Sequence, residues 1–173
     1  DRMGLWYITD NLSGDPTLDS YSHDAPQRDY PIAAPQANVA NTLDVGSKIQ
    51  HAFYMGDGQL FYSMTCSDSD GDNRLVVGLM DTGSGDIEDS SFGLDGWDYA
   101  YPWVLPWAGN FSVWNGELVV AFLSVSSTTF PQFRAVRLDT DPSTWEWSSS
   151  SSIRFGSSAI NAAAGQNRWG DYN

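Results

Sequence analysis

The chain repeats itself, and that repeat constrains its fold more than any other feature. Phe53-Tyr54-Met55-Gly56-Asp57-Gly58-Gln59-Leu60-Phe61-Tyr62 aligns without a gap on Phe111-Ser112-Val113-Trp114-Asn115-Gly116-Glu117-Leu118-Val119-Val120, at an offset of about 58 residues. The same offset carries Leu79-Met80-Asp81-Thr82 onto Arg137-Leu138-Asp139-Thr140, and Ile87 onto Trp145. Asp57-Gly58 and Asn115-Gly116 become equivalent tight turns, because both positions of such a dipeptide tolerate positive φ. A period of this length means supersecondary units that bury their apolar faces against one another.

Between the turns lie short alternating or apolar runs rich in β-branched and aromatic residues, bounded by Gly, Asp, Asn, Ser and Pro. These are strand and turn signals. They predict strands over 4–9, 48–54, 59–66, 73–81, 110–114, 117–124, 131–139 and 144–155. Sustained helical periodicity is absent, and only Ile160-Asn161-Ala162-Ala163-Ala164 suggests a helical turn. Four strands recurring in one order over roughly 40–60 residues describe a β-propeller blade. The expected fold is therefore all-β, a β-propeller fragment of about three four-stranded antiparallel blades. Residues 1–44 read as the outer half of a blade plus a long connection, 45–92 and 93–156 as blades, and 157–173 as the start of the next. The remaining blades are expected elsewhere in a longer protein or in other chains, because an open propeller leaves a strand edge exposed.

Composition narrows the function. With 41% hydrophobic and 17% charged residues in 173, the chain is too apolar for a disordered tail. Lys plus Arg number 8 against 22 Asp plus Glu, a formal net charge of −14. Such a surface repels phosphate backbones and has no basic cluster, which excludes nucleic acid as an expected partner. The longest apolar runs, such as Leu118-Val119-Val120-Ala121-Phe122-Leu123, fall far short of the roughly 20 residues of a spanning helix, so no membrane span is expected. Asp1-Arg2-Met3-Gly4-Leu5 carries no signal-peptide pattern; either a leader was removed or the chain begins inside a longer protein. Cys66 is the single cysteine and reads as a small buried hydrophobe, leaving no internal disulfide. A sole lysine, Lys48, amid abundant Asp, Ser, Thr, Gly and Trp suits an extracellular or cell-surface setting. Asn11-Leu12-Ser13 and Asn110-Phe111-Ser112 fit the N-glycosylation pattern, making Asn11 and Asn110 candidate acceptors.

Several landmarks carry a resemblance. Leu5-Trp6-Tyr7-Ile8-Thr9, Ala34-Pro35-Gln36, Leu43-Asp44-Val45-Gly46, the Gly58-Gln59-Leu60 hairpin and Asn167-Arg168-Trp169-Gly170-Asp171-Tyr172 together resemble secreted sialidase-like β-propeller ectodomains. The last of these is similar to the Arg-Trp-Gly-Asp-Tyr motif that opens one blade in that family. The resemblance implies a fold and an extracellular location more than an activity, and the chain shows no clear Ser-x-Asp-x-Gly-x-x-Trp turn of true sialidases.

Three clusters are candidate sites. Asp68-Ser69-Asp70-Gly71-Asp72-Asn73 sets Asp68, Asp70 and Asp72 at alternate positions around a glycine turn, oxygen-rich spacing that suits calcium. A solvated polar hairpin is the other reading. Trp97-Asp98-Tyr99-Ala100-Tyr101-Pro102-Trp103 places four rings at alternate positions, so an extended backbone would turn Trp97, Tyr99, Tyr101 and Trp103 to one face. That face could stack on sugars, with Asp95, Asp98 or Asn110 as hydrogen-bonding groups, or pack between blades, with Trp103, Trp107 and Trp114 in the core. Arg168, Asp171 and Tyr172 would line an axial channel if 166–173 is an innermost strand. His23 and His51 lie in unrelated contexts, so neither a triad nor a His-based metal site is indicated.

The function expected is a structural, adhesive or glycan-binding β-propeller module of a larger extracellular protein, whose partners are further blades or other chains and whose ligands are glycans. Part of a sialidase-like glycoside hydrolase is the alternative, requiring an acidic pair and several arginines at the propeller axis. A building block of a surface filament or virion is the third.

Overall fold

The computed structural model describes residues 2–9, 17–46, 48–107, 115–141 and 145–159. Among them the chain is all-β, with antiparallel sheets and no helix, and no sheet closes on itself. β1 (Arg2–Thr9) and β2 (Thr17–Asp24) form a two-stranded ribbon. β3 (Ala34–Gln36) and β4 (Val39–Leu43) make a second, shorter one, turned through Asn38 at φ 63°. The first large sheet runs β5 (Ile49–Gly56), β6 (Gln59–Ser67), β7 (Asn73–Asp81), β8 (Ile87–Phe92) in sequence order. The second contains β9 (Asp98–Pro106), β10 (Glu117–Ser126) and β11 (Thr129–Asp139), with β12 (Glu146–Trp147) and β13 (Ser151–Phe155) both paired to the far side of β11.

The sequence repeat is a repeat of hydrogen bonding. β6 and β7 pair with Gln59 opposite Asp81, and β10 and β11 with Glu117 opposite Asp139, the same register displaced by the offset of about 58 residues. The Thr82 amide donates to the Gly58 carbonyl at 2.7 Å, and the Thr140 amide to the Gly116 carbonyl at 2.9 Å. Asp81 Oδ1 caps the Gly83 amide at 2.8 Å as Asp139 Oδ1 caps that of Asp141 at 3.1 Å. At the opposite end, Asp68 Oδ1 accepts from the Asp70 amide (3.0 Å) and Ser126 Oγ from Thr128 (3.2 Å). Short polar side chains that bond the backbone two residues on are what make these turns recur.

The repeat departs at its leading strand. Asp57 and Gly58 form the expected hairpin turn with φ of 49° and 82°. Asn115-Gly116 does not close an equivalent two-residue hairpin, because the neighbour of β10 on that side is β9, ending at Pro106 opposite Leu118. The predicted strand at 110–114 lies outside the described residues. β2, β3, β4, β8 and β9 are absent from the predicted strands, and the predicted 144–155 strand is broken into β12 and β13.

The two large sheets pack face to face. Phe61, Leu75 and Val77 of the first meet Tyr99, Val104, Leu118, Val120, Phe122, Val136 and Leu138 of the second, all buried in one cluster. Each such side chain withdrawn from water contributes about 2 kcal/mol. Phe92 of β8 joins the rings of Tyr99, Phe122 and Trp147 at centroid distances of 5.7, 5.9 and 5.2 Å. A smaller cluster of Ala34, Leu43, Val45, Ala100 and Val125 seats the short ribbon on the second sheet. The connection 25–33 crosses the first sheet, fixed where the Ser67 amide donates to the Asp29 carbonyl and where Asn73 brackets Ile32.

Candidate functional site

The acidic loop is an arginine-centred knot. The Arg74 guanidinium lies 2.5 Å from Asp68, 2.7 Å from Asp95 and 3.8 Å from Asp72. Asp68 Oδ1 is committed to the Asp70 and Asp72 amides, and Asp72 Oδ2 accepts from the Gly96 amide at 2.6 Å. Burial works to raise the Asp68 carboxyl, but Arg74 and the loop amides outweigh it and hold it below its ordinary value. A cation here would compete with a guanidinium already in place. Among the described residues no three His, Cys, Asp or Glu side chains gather closely enough to hold a metal ion. The arginine two positions beyond Asp72 was the sequence signal for this pairing.

Beneath the knot sits a buried polar clamp that sequence reading missed. Asp98, 4% exposed, accepts from the Asn73 amide at 3.1 Å and from Asn73 Nδ2 at 2.6 Å. Asn73 also takes the Ile32 amide on Oδ1 and donates Nδ2 to the Ile32 carbonyl, both at 2.8 Å. One asparagine thus ties the crossing connection, β7 and β9 together. Burial raises the Asp98 carboxyl above its ordinary value, with the Asn73 bonds opposing. Asp98 is therefore spent on structure and does not offer itself to a sugar.

The four aromatic rings of 97–103 do not share a face. Two residues, Tyr101 and Pro102, stand opposite the single Phe122, a β-bulge between the pairs Ala121–Trp103 and Leu123–Ala100. Tyr101 carries the bulge at φ 52°. The extra residue inverts the alternation, so Tyr99 points into the inter-sheet core while Trp103 points away from it. Trp97 packs on the edge of that core, and Tyr101 packs against the smaller cluster with its hydroxyl donating to the Asp44 carbonyl at 3.1 Å. Trp103 and Trp107, expected in the core, are 53% and 60% exposed. Trp103 stacks instead on His51 with centroids 4.6 Å apart, and burial lowers the His51 pKa although a backbone bond at Val104 opposes it. Around it Tyr101, Leu105, Val119, Ala121 and Phe133 line an apolar groove of about 330 Å³ on the outer face of the second sheet.

The first sheet is covered on its outer face by the chain's N-terminal part. A cleft of about 280 Å³ opens there between Arg2, Met3 and the 25–31 connection on one side and Ile49, Tyr62, Met64 and Asp89 on the other. Arg28 forms an ion pair with the largely buried Asp89 in its floor. Burial, aided by the Asp89 charge, pushes the Tyr62 hydroxyl well above its ordinary pKa despite Arg28, so it stays protonated. The Tyr62 ring lies over Gly78 of the next strand, where an added Cβ would come within 2.1 Å of it. Sequence reading singled out none of Arg28, Tyr62 or Asp89, because they come together only through the crossing.

The remaining candidates, Asn11, Asn110, Trp114, Arg168, Asp171 and Tyr172, lie outside the described residues. Comparison with family models, with curated proteins and with solved structures finds no match.

Proposed function

We propose that this chain is a non-enzymatic, structural segment of a β-propeller within a larger extracellular or cell-surface protein. The observation that carries the reading is the recurrence, between two face-packed antiparallel sheets, of one strand register, two side-chain-capped turns and one backbone bond. Radial repetition of four-stranded sheets packed face to face is how propellers are assembled. The N-terminal ribbon and crossing connection, lying against the outer face of the first sheet, fit the outer half of a preceding blade. The acidic, almost lysine-free composition supports the extracellular setting. In the cleft over the first sheet, Arg28 is neutralised by Asp89 and the Tyr62 hydroxyl is held protonated, chemistry that suits a packing contact between layers better than a glycosidase centre.

The test is the intact mass of the native polypeptide, joined to its assembly mass in solution and to limited proteolysis. The expected result is a polypeptide longer than these 173 residues, with this segment inside a protease-resistant core that includes further sheets. A native polypeptide of 19.0 kDa that remains monomeric would refute the proposal.

A further inference from the structure

The repeat assigns opposite roles to the two faces of each large sheet. On the first sheet, Phe61, Ser63, Leu75 and Val77 receive the second sheet. The shared register places Val119, Ala121, Phe133 and Ala135 at the corresponding positions of the second sheet, on its outer face. The other face of the first sheet, with Leu60, Tyr62, Met64, Gly78 and Met80, corresponds to Leu118, Val120, Phe122, Val136 and Leu138. Those five are the very residues by which the second sheet docks. Each sheet therefore has a docking face and a receiving face. The docking face of the second sheet is in use; its receiving face carries the short ribbon at the Leu123–Val125 end and is open beyond it, with Trp103, Leu105 and Phe133 exposed.

Resting on the structural reading above, we propose that this open face, presented by Trp103, Leu105, Val119 and Phe133, is the seat of one further four-stranded antiparallel sheet of the same repeat, docked as the second sheet docks on the first. The occupant is a sheet face bearing Val, Leu or Phe at the positions of Val120, Phe122 and Leu138. The receiving face suits it chemically. Where the first sheet has Ser63 the second has Ala121, which makes the open face the more apolar of the two at that position. Its flanking charges, Glu117 and Arg137, are paired with each other at 2.9 Å and present no net charge to an apolar partner. A glycan is the weaker fit, because His51 takes one face of the Trp103 indole and, among the described residues, no charged or amide side chain lines the groove to bond sugar hydroxyls. Contiguous exposed apolar surface of this kind marks an interaction site.

Hydroxyl-radical footprinting of the native, full-length protein tests the assignment, with oxidation read by mass spectrometry at single residues. Tyr54, exposed near the end of β5, is the accessible reference and Phe61 the buried one. The expected result is loss of oxidation at Trp103 and Phe133 to the level of Phe61. Oxidation of both at the level of Tyr54, in a protein whose intact mass shows further sheets, overturns the docking assignment while the structural reading stands. A polypeptide with no further sheets overturns both. Protection that appears only when a glycan is added overturns the sheet in favour of a sugar site. As an independent arm, Phe133→Glu in the native protein is expected to lower its melting temperature, since a carboxylate would be buried at the contact. An unchanged melting temperature argues against the assignment even if footprinting is ambiguous at Trp103.

Discussion

Replacing Asn73 by alanine removes three side-chain hydrogen bonds at once: two to the Ile32 backbone at 2.8 Å and one to the Asp98 carboxylate at 2.6 Å. Only the Asn73 amide would still reach Asp98, at 3.1 Å. Neutral bonds contribute about 1 kcal/mol each and a bond to a carboxylate about 2, so Asn73→Ala should cost about 4 kcal/mol. For a domain of this size that lowers the melting temperature by roughly 10 °C. The loss should also depend on pH. Burial has already raised the Asp98 pKa, so the native state holds that proton to higher pH than the unfolded chain does, and ionisation of Asp98 costs stability as pH rises through its folded pKa. Asn73 opposes that cost. Without it the folded pKa rises further, and the difference between variant and parent should be larger at neutral pH than below the ordinary aspartate pKa, where Asp98 is protonated in both. Urea unfolding across that range, with an Asp98→Asn double-mutant cycle, measures the coupling. A cost below about 1 kcal/mol at neutral pH, or one that grows toward acid, would show that Asn73 is not the tie between the crossing connection and the two sheets.

Gly78→Ala should destabilise by about 1–3 kcal/mol, because its Cβ would meet the Tyr62 ring; an unchanged melting curve would mean the ring is not held over the glycine. Asp68→Asn should weaken the fold by about 1 kcal/mol at neutral pH and by nothing in strong acid. The sign follows from a folded pKa below the ordinary value: the Asp68 contribution is present above that value and disappears as pH falls through the folded pKa, so a constant penalty across the pH series would count against the Arg74 knot. Trp147→Phe should cost about 1 kcal/mol in thermal unfolding through the bond from its indole nitrogen to Ser90 Oγ, which spans the two sheets at 2.8 Å, and parity with the parent would dismiss that link.

What sequence reading could see was whatever is local. Asp57-Gly58, the equivalence of Asp81 with Asp139 and the alternation of β6, β7, β10 and β11 are short-range chemistry, and the repeat lines them up without any knowledge of contacts. The aromatic segment misled because alternation holds only for unbroken strands, and the bulge at Tyr101 and Pro102 depends on pairing with Phe122, a residue far along the chain. The calcium reading of Asp68 to Asp72 weighs the carboxylates alone, although Arg74 two positions on is a local signal against it; only the arrival of Asp95 in the knot depends on the fold. The clamp of Asn73, Asp98 and Ile32 was beyond reach for the same reason: its members come from three separate segments, and nothing in their own neighbourhoods marks them as partners.

The far side of β11 bears two short strands in place of one. β12 covers Leu138 and Asp139, β13 covers Gln132 to Ala135, and in the interval Arg134 draws Ser150 inward through bonds of 2.9 to 3.2 Å. Among the described residues that rim is divided between a two-residue and a five-residue strand, which shortens the row of donors and acceptors open to an added strand. The interruption therefore hinders lateral recruitment of stray chains, the first step toward cross-β aggregates, and leaves the broad faces as the larger continuous surface.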